Sequence, residues 1–241
     1  ISLALKRNTV VFFGQTAPQE IEMYNQGLKI FKKSDCLGCY SSYDGRKPKH
    51  FELIDLWMLS KLQKAIQECT THFEHYEFSK ARVALEVFFW HVFCDNYIEI
   101  VKDRFYHAER EDAKKSAQYV LSTTLLTVLK MIAPIMPFVT EEIYSQSFQQ
   151  HEKHRSIHLS SWPNVDGELV DEKIEKTGDL FVELLSKIRK FKSDHGKSLK
   201  AEIKVTLERK DLDALKGMEK DLRAAAKIKH LDSGAFSVEF V

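Results

Sequence analysis

Three long stretches of the sequence repeat apolar residues at intervals of three and four, with few glycines or prolines to interrupt them. In the first stretch, Leu59, Leu62, Ile66, Cys69 and Phe73 fall on one face of an α-helix. The 241 residues include only nine Gly and five Pro, and this scarcity favours long helices over short strands joined by turns. The sequence therefore predicts a mainly α-helical fold.

The same periodicity predicts two further long helices, over about 79–104 and about 112–132. Ser79 is the expected cap of the first of these. Pro134 and Pro137 interrupt the second, and a short helix is expected to follow through about residue 148. Helices of this length joined by modest loops predict an antiparallel bundle.

The predicted bundle covers residues 19–150 and includes a first helix over about 19–37, followed by a loop over 38–50. Residues 1–18 are expected to be the remnant of a preceding domain, with a short strand at 9–13. The first residue is Ile rather than Met. A piece of a longer protein is therefore expected.

The pattern of the sequence changes after residue 150. A linker is expected over 151–176, with an extended stretch at 157–159. Residues 177–241 predict a small C-terminal α+β subdomain that opens with a helix over about 178–194. Its other expected elements are a strand at 201–207, a helix at 212–226 and strands at 227–231 and 236–241.

Composition indicates an ordinary water-soluble domain. Apolar residues make up 44% of the chain, charged residues 29%, and the net charge is +1, so any basic surface has to be local. Four cysteines in a chain of this length do not indicate a disulfide framework. The sequence contains neither a secretory leader nor a run of about 18 apolar residues. A cytoplasmic protein with no membrane partner is expected.

Three segments carry motifs in a fixed order. Residues 55–62 read Asp-Leu-Trp-Met-Leu-Ser-Lys-Leu, and residues 93–99 read Phe-Cys-Asp-Asn-Tyr-Ile-Glu. Residues 133–143 read Ala-Pro-Ile-Met-Pro-Phe-Val-Thr-Glu-Glu-Ile. Together these motifs resemble the anticodon-binding region of the class Ia aminoacyl-tRNA synthetases, and residues 93–99 are most similar to the valyl enzymes. Residues 188–193, Ile-Arg-Lys-Phe-Lys-Ser, resemble the valyl enzymes of archaeal type.

The resemblance implies a helical fragment that binds the tRNA for valine near its anticodon. The motifs with which class I synthetases activate amino acids, His-Ile-Gly-His and Lys-Met-Ser-Lys-Ser, do not occur in the sequence. No catalytic residue, metal site or cofactor is therefore expected in this fragment. The parent enzyme would use ATP and Mg²⁺ in an upstream catalytic domain, accompanied by an editing domain. The expected oligomeric state is a monomer.

An anticodon loop presents unstacked bases, which proteins read by stacking and by hydrogen bonds, while lysine and arginine meet the phosphates. The candidate tRNA contacts fall into a bundle group and a group on the helix that follows the linker. They are Lys29, Lys32, Lys33, Trp57, Lys61 and Arg104 in the bundle, and Lys187, Arg189, Lys190, Lys192 and Lys197 in the later group.

The expected first helix departs from the family pattern, which reads Gly-x-Lys-Phe-x-Asn-Lys-Leu-Trp-Asn-x-x-Arg-Phe. Gly27, Lys29 and Lys33 match it, whereas Asp35, Cys36 and Cys39 stand where Trp, Asn and Arg are usual. Because this helix lines the anticodon site in relatives, the departure leaves base recognition open. Cys36 and Cys39 also have the spacing of half a zinc site, but a second pair is lacking and ordinary thiols are preferred.

Structural interpretations stand beside the functional ones. The basic run at 186–200 follows an acidic run at 166–183, and a helix with this polarity complements its own macrodipole without any ligand. Trp57 and Trp90 are large enough to serve as core residues instead of stacking platforms. Two functional alternatives also remain, namely the same domain from an isoleucyl, leucyl or methionyl relative and a helical protein-interaction module that binds no RNA.

Overall fold

A computed structural model describes residues 9–13, 27–31, 47–106 and 111–241 of the chain. The chain divides into two compact units, Ile1–Asp44 and Gly45–Val241. In the first unit, strand β1 (Thr9–Phe13) pairs in parallel with strand β2 (Gly27–Phe31), with Thr9 opposite Gly27 and Phe13 opposite Phe31. The predicted strand at 9–13 is confirmed.

The prediction of a first helix over 19–37 is wrong at β2. Leu28, Lys29 and Ile30 alternate apolar and charged residues, and this period of two suits a strand with unlike faces. The Gly-x-Lys match to the family pattern favours a helix, whereas the alternation of these residues favours a strand. The remainder of the predicted helix and most of the loop over 38–50 lie outside the described residues.

Most of the second unit is helical, as predicted. Helix α1 (Leu53–Glu74) is followed by α2 (Phe78–Val87), a π-helical segment (Phe88–Ile98), α3 (Glu99–Val101), a 3₁₀ turn (Lys102–Phe105), α4 (Glu111–Ile132) and α5 (Pro137–Ser147). The predicted helices over 112–132 and through 148 are confirmed. The predicted helix over 79–104 corresponds to α2 and the segments that continue it, but Glu77 rather than Ser79 occupies the cap position.

The π-helical segment is the feature that periodicity did not reveal. Its buried aromatic residues are Phe88, Phe93 and Tyr97. Phe88 and Phe93 are five residues apart, which is the hydrogen-bond spacing of a π-helix, so the wider winding directs both rings to the core. A regular α-helix would rotate Phe93 away from Phe88. Trp90, in the same segment, is 56% exposed.

The main core is organised around α1. Ile54, Met58, Leu62 and Cys69 are almost completely buried on this helix, together with residues of α2, α4 and the later helix α6 (Glu172–Asp194). A smaller core of Leu129, Ala133, Tyr144, Phe148 and Ile157 joins α4 to α5 and to the segment after it. The apolar stripes of the sequence therefore face these two cores.

The C-terminal part of the unit begins with two short turns. Residues Ile157–Leu159 form a 3₁₀ turn that the Ser156 hydroxyl caps by accepting from the His158 amide, so the prediction of an extended stretch is wrong. A second 3₁₀ turn spans Gly167–Leu169. Helix α6 (Glu172–Asp194) begins earlier than residue 178 because the Asp171 carboxylate accepts from two amides of its first turn.

The small sheet contains strands β3 (Ile203–Leu207), β4 (Ile228–Ser233) and β5 (Ser237–Phe240), ordered β4-β3-β5. Strand β3 is parallel to β4 and antiparallel to β5. Between β3 and β4, the predicted single helix is split into α7 (Arg209–Ala214) and α8 (Glu219–Ala226), and Gly217 adopts a positive φ of 94° in the turn between them. The predicted fold class, a helical bundle with a small C-terminal α+β subdomain, is confirmed.

Helices α1 and α6 are in close contact at a glycine. A Cβ atom added to Gly178 would lie 2.2 Å from Cδ1 of the Trp57 indole. Substitution of this glycine therefore requires the two helices to separate or the indole to leave its pocket. No helix among the described residues has both the length and the apolar content needed to span a membrane.

We expect Gly178→Ala to lower the free energy of unfolding by about 1–3 kcal/mol, because overpacking outweighs the gain in helix propensity. Urea denaturation monitored by circular dichroism would measure the change. Gly167→Ala is the matched control, since a Cβ at Gly167 meets no atom within 4 Å. Equal stability of the two variants would show that α1 and α6 do not pack this closely.

Candidate nucleic-acid interface

The basic residues predicted as one cluster point in different directions around α6. Lys190 is exposed and Lys187 has 52% of its side chain exposed. Arg189 is partly buried and donates to the Asp95 carbonyl of the π-helical segment at 3.2 Å. Since successive residues of an α-helix are about 100° apart, consecutive basic residues face different directions around the helix axis. The structure therefore divides the run: Lys187 and Lys190 stay exposed, whereas Arg189 turns toward the π-helical segment.

Lys192 is not available to RNA. It is 1% exposed, and its Nζ donates to the carbonyls of Leu199, Ala201 and Ala226 at 3.0, 2.7 and 2.7 Å. Burial, followed by the nearby charge of Lys227, lowers the pKa of this ammonium group. The assignment of Lys192 as a tRNA contact is corrected: it holds the end of α8 and the loop before β3.

Trp57 is also a core residue. Its ring is 2% exposed and its Nε1 donates to Asp179 of α6 at 3.0 Å. No base can stack on a face that the protein already covers. The Trp57 assignment is therefore wrong, and its structural interpretation is confirmed.

Lys61 belongs to an ionic contact between α1 and α6. Its Nζ lies 2.8 Å from Asp179 and 3.8 Å from Glu175, and 22% of its side chain is exposed. Lys64 approaches Glu175 at 2.5 Å, and the Ser60 hydroxyl donates to Glu175 at 2.6 Å. Burial raises the pKa of Glu175, but the contacts with Lys64 and Ser60 outweigh this effect and lower it. Lys61 would have to give up its acidic partners before it could contact a phosphate.

Arg104 is fully buried, so its assignment as a tRNA contact is also wrong. Its Nη1 donates to both oxygens of Asp55, and its Nε and Nη2 donate to the two oxygens of Asp221. The Tyr97 hydroxyl donates to Asp55 at 2.7 Å, and the Ser116 hydroxyl also donates to this carboxylate. Burial opposes the charge of Arg104, but Asp55 and Asp221 raise its pKa above the usual value. This network connects the bundle to α8.

The bundle lysines of the expected first helix remain untested as contacts. Lys29 lies on β2 rather than on a helix, and the structure does not describe its side chain. Lys32 and Lys33 lie outside the described residues, as do Cys36 and Cys39. Cys69, which belongs to the apolar stripe of α1, is buried, and burial raises the pKa of its thiol to about 11.

The end of α6 has a regular helix stop that positions Lys197. Gly196 adopts a φ of 62°, its amide donates to the Ser193 carbonyl, and the Lys197 amide donates to the Lys192 carbonyl. These two hydrogen bonds form a Schellman motif, which favours glycine at the left-handed position. The motif turns the chain so that the Lys197 Nζ lies 6.0 Å from the centre of the Phe240 ring.

Aromatic rings lie between the exposed lysines. The Phe191 and Phe240 rings stack with their centres 5.1 Å apart, and His195 lies 4.2 Å from Phe191. The Lys187 Nζ lies 5.9 Å from the centre of the Phe236 ring. None of these aromatic residues is among the predicted contacts, although Phe191 is in the basic run and Phe236 and Phe240 occupy alternate positions just before and within β5.

Comparison with known proteins identifies the class of domain. The family described as the anticodon-binding domain of tRNA ligase matches residues 55–207. The chain therefore belongs to the family of tRNA-ligase anticodon-binding domains. The matched residues include most of the bundle, all of α6 and strand β3.

Several similar proteins are valine–tRNA ligases. The chain is 37% identical to the enzyme of Pyrococcus furiosus over 194 residues, which are 79% of this chain and 22% of that protein. It is 40% identical to the Archaeoglobus fulgidus enzyme over 161 residues, 67% of the chain and 18% of that protein. It is also 40% identical to the Ehrlichia ruminantium enzyme over 184 residues, 75% of the chain and 22% of that protein. The chain thus spans about a fifth of these relatives, and the match is to the anticodon-binding domain.

Proposed function

We propose that this chain is the tRNA-binding, anticodon-recognising fragment of a valine–tRNA ligase. The match of the anticodon-binding family to residues 55–207 carries the proposal, and the valine–tRNA ligases among its relatives support the choice of tRNA. The fragment would hold the tRNA for valine while the rest of the parent protein attaches valine in an ATP-dependent reaction.

The proposed division of work assigns the chemistry to the rest of the parent chain. ATP and Mg²⁺ would bind to its catalytic domain, and an editing domain would accompany that domain. The fragment itself would supply binding energy and orientation, since a rigid bundle holds side chains at fixed spacings. We further propose a monomer that acts in the cytoplasm.

The exposed cations are the best-supported phosphate contacts. Lys187, Lys190 and Lys197 lie at or near the surface of one end of α6, and Arg189 is partly accessible beside them. Cations of this kind position an RNA without reading its sequence. Lys29, Lys32 and Lys33 remain proposed contacts near the anticodon loop.

A binding series would test the proposed function. The chain would be titrated against transcribed tRNAs for valine, isoleucine, leucine and methionine at two salt concentrations in a filter-binding assay. We expect tightest binding to the tRNA for valine and a steep loss of affinity as salt rises, because phosphate contacts release counterions. Undetectable tRNA binding, or an affinity independent of salt, would contradict the proposal; a salt-independent protein complex would support a protein-interaction module.

The structure sharpens this test with a matched pair of variants on one helix. Lys190→Glu lies in the basic half of α6, and Lys176→Glu makes the same charge change at an exposed residue of its acidic half. We expect Lys190→Glu to weaken binding to every tRNA and to reduce the salt slope by about 1, as loss of a phosphate contact should. Equal effects of the two variants would indicate a response to net charge rather than a local contact.

A further inference from the structure

One surface of the α+β subdomain combines cations with accessible aromatic rings. We call it the aromatic–lysine surface, and its members come from the end of α6 and from the last strand of the sheet. They are Lys187, Phe191, His195, Lys197, Phe236 and Phe240.

Strand geometry places two of these rings on the side of the sheet that faces α6. Phe236, Val238 and Phe240 alternate along β5 and its preceding residue, so they share one face of the strand. Phe191 stacks on Phe240, with an angle of 28° between the ring planes. His195 meets the edge of Phe240 at 5.8 Å. The rings therefore form a row at the border between helix and sheet.

The row is open to solvent. Phe236 is 42% exposed, His195 is exposed, and Phe191 and Phe240 are partly buried. Strand β5 is the edge of the described sheet, so on its outer side it has no strand neighbour among the described residues. A ring needed only for the core would gain more by complete burial, as Phe181 does on the same helix.

Charges of both signs lie beside the row, and lysines stand directly over two of its rings. Lys187 and Lys197 stand over rings at the two ends of the row, and Lys190 and Lys200 are exposed residues of the same basic run. The acidic groups are Glu183, which pairs with Lys187 at 2.7 Å, and the exposed Asp194, Glu202 and Glu239. Stacking surfaces flanked by lysines match nucleic acid that presents both a base and a phosphate.

We propose that the aromatic–lysine surface binds unpaired nucleotides of an RNA, with bases stacked on Phe236, Phe240 and His195 and phosphates held by Lys187 and Lys197. This inference rests on the proposed function, because the RNA would be the tRNA that the bundle binds. It adds a second contact, in the C-terminal subdomain, that recognises single-stranded character rather than a particular sequence. A paired stem offers no free base face and would be bound only through its phosphates.

The experiment uses the full 241-residue chain and a short single-stranded RNA that contains 2-aminopurine, whose fluorescence changes on stacking. We expect binding accompanied by a fluorescence change, and weaker binding of the same RNA in a duplex. Phe236→Ala should reduce the affinity about fivefold or more, the effect typical of a lost stacking platform. Lys197→Ala should weaken binding and reduce its salt dependence.

Phe138→Ala is the matched control, because Phe138 is 91% exposed and belongs to α5, away from the residues of the surface. Far-ultraviolet circular dichroism of each variant would establish that it is folded. An unchanged affinity in folded Phe236→Ala, equal losses in Phe236→Ala and Phe138→Ala, or equal binding of single strand and duplex would each overturn the inference.

The two proposals fail in different ways. If the wild-type chain binds tRNA but Phe236→Ala binds the single-stranded RNA as tightly as wild type, the surface is not a stacking site and the proposed function stands. If the wild-type chain binds no tRNA, the proposed function fails whatever the short RNA shows.

Discussion

Replacing Arg104 with methionine is expected to lower the free energy of unfolding by about 3–5 kcal/mol, the cost typical of breaking a buried ion pair from one side. The substitution leaves the Asp55 carboxylate completely buried and Asp221 2% exposed, both without their guanidinium partner. Methionine approximates the length of the arginine stem, so lost packing contributes little to the effect. Equilibrium denaturation in urea would measure it.

The burial of Asp55 explains why the expected loss in the free energy of unfolding is large. Burial raises the pKa of this carboxyl, while Arg104, Ser116 and Tyr97 act against the rise. Without the arginine, Asp55 would have to take up a proton or draw in water, and either response disfavours the native state. Because Arg104 also holds Asp221, the variant should weaken the attachment of α8 to the bundle.

Arg82→Met is the matched control for this prediction. Arg82 pairs with Glu86 at 2.5 Å on the surface of α2, where 47% of its side chain is exposed. Exposed pairs contribute about 1 kcal/mol or less, so this variant should unfold at nearly the wild-type urea concentration. A similarly small effect of Arg104→Met would contradict the buried network.

The helical framework could be predicted from the sequence because its signal is local. The apolar stripe of α1 and the proline that begins α5 determine those helices over a few turns, without reference to distant residues. At β2 a period of two competed with an expected helix, and a run of five residues is too short for periodicity to decide firmly. The π-helical winding could not be predicted, because the sequence does not show which aromatic residues reach the core.

The buried charges could not be predicted in the same way. Arg104 is separated from Asp55 by 49 residues and from Asp221 by 117 residues, and no local pattern joins them. A charged residue is normally at the surface unless it is paired, so the sequence alone presents Arg104 and Lys192 as cations available to RNA. Their partners come from the tertiary fold.

The candidate interface illustrates the same limit. The basic run on α6 was visible in the sequence, but its division among the core, the bundle and the surface depends on helical rotation and on packing. The Phe191–Phe240 stack joins a helix to the last strand, so the aromatic component appeared only once β5 was placed. The family was identified from motifs, whereas the contacts with RNA depend on exposure.

Lys192→Met provides the second large expected effect, a loss of about 2–3 kcal/mol in the free energy of unfolding. The variant removes the shared donor of the Leu199, Ala201 and Ala226 carbonyls. The bond to Ala226 is buried, so that carbonyl is the most costly to leave unpaired. The positive charge also lies at the C-terminal end of α8, where it offsets the helix dipole. Thermal and urea denaturation would measure the loss.

Lys190→Met separates stability from RNA binding on the same helix. Lys190 is exposed, so this variant should unfold like wild type while it binds tRNA more weakly at low salt. Lys192→Met should show the reverse behaviour, with reduced stability but near wild-type affinity under conditions in which it remains folded. If instead folded Lys192→Met loses affinity for tRNA and keeps wild-type stability, then Lys192 contacts RNA and is not buried against the three carbonyls.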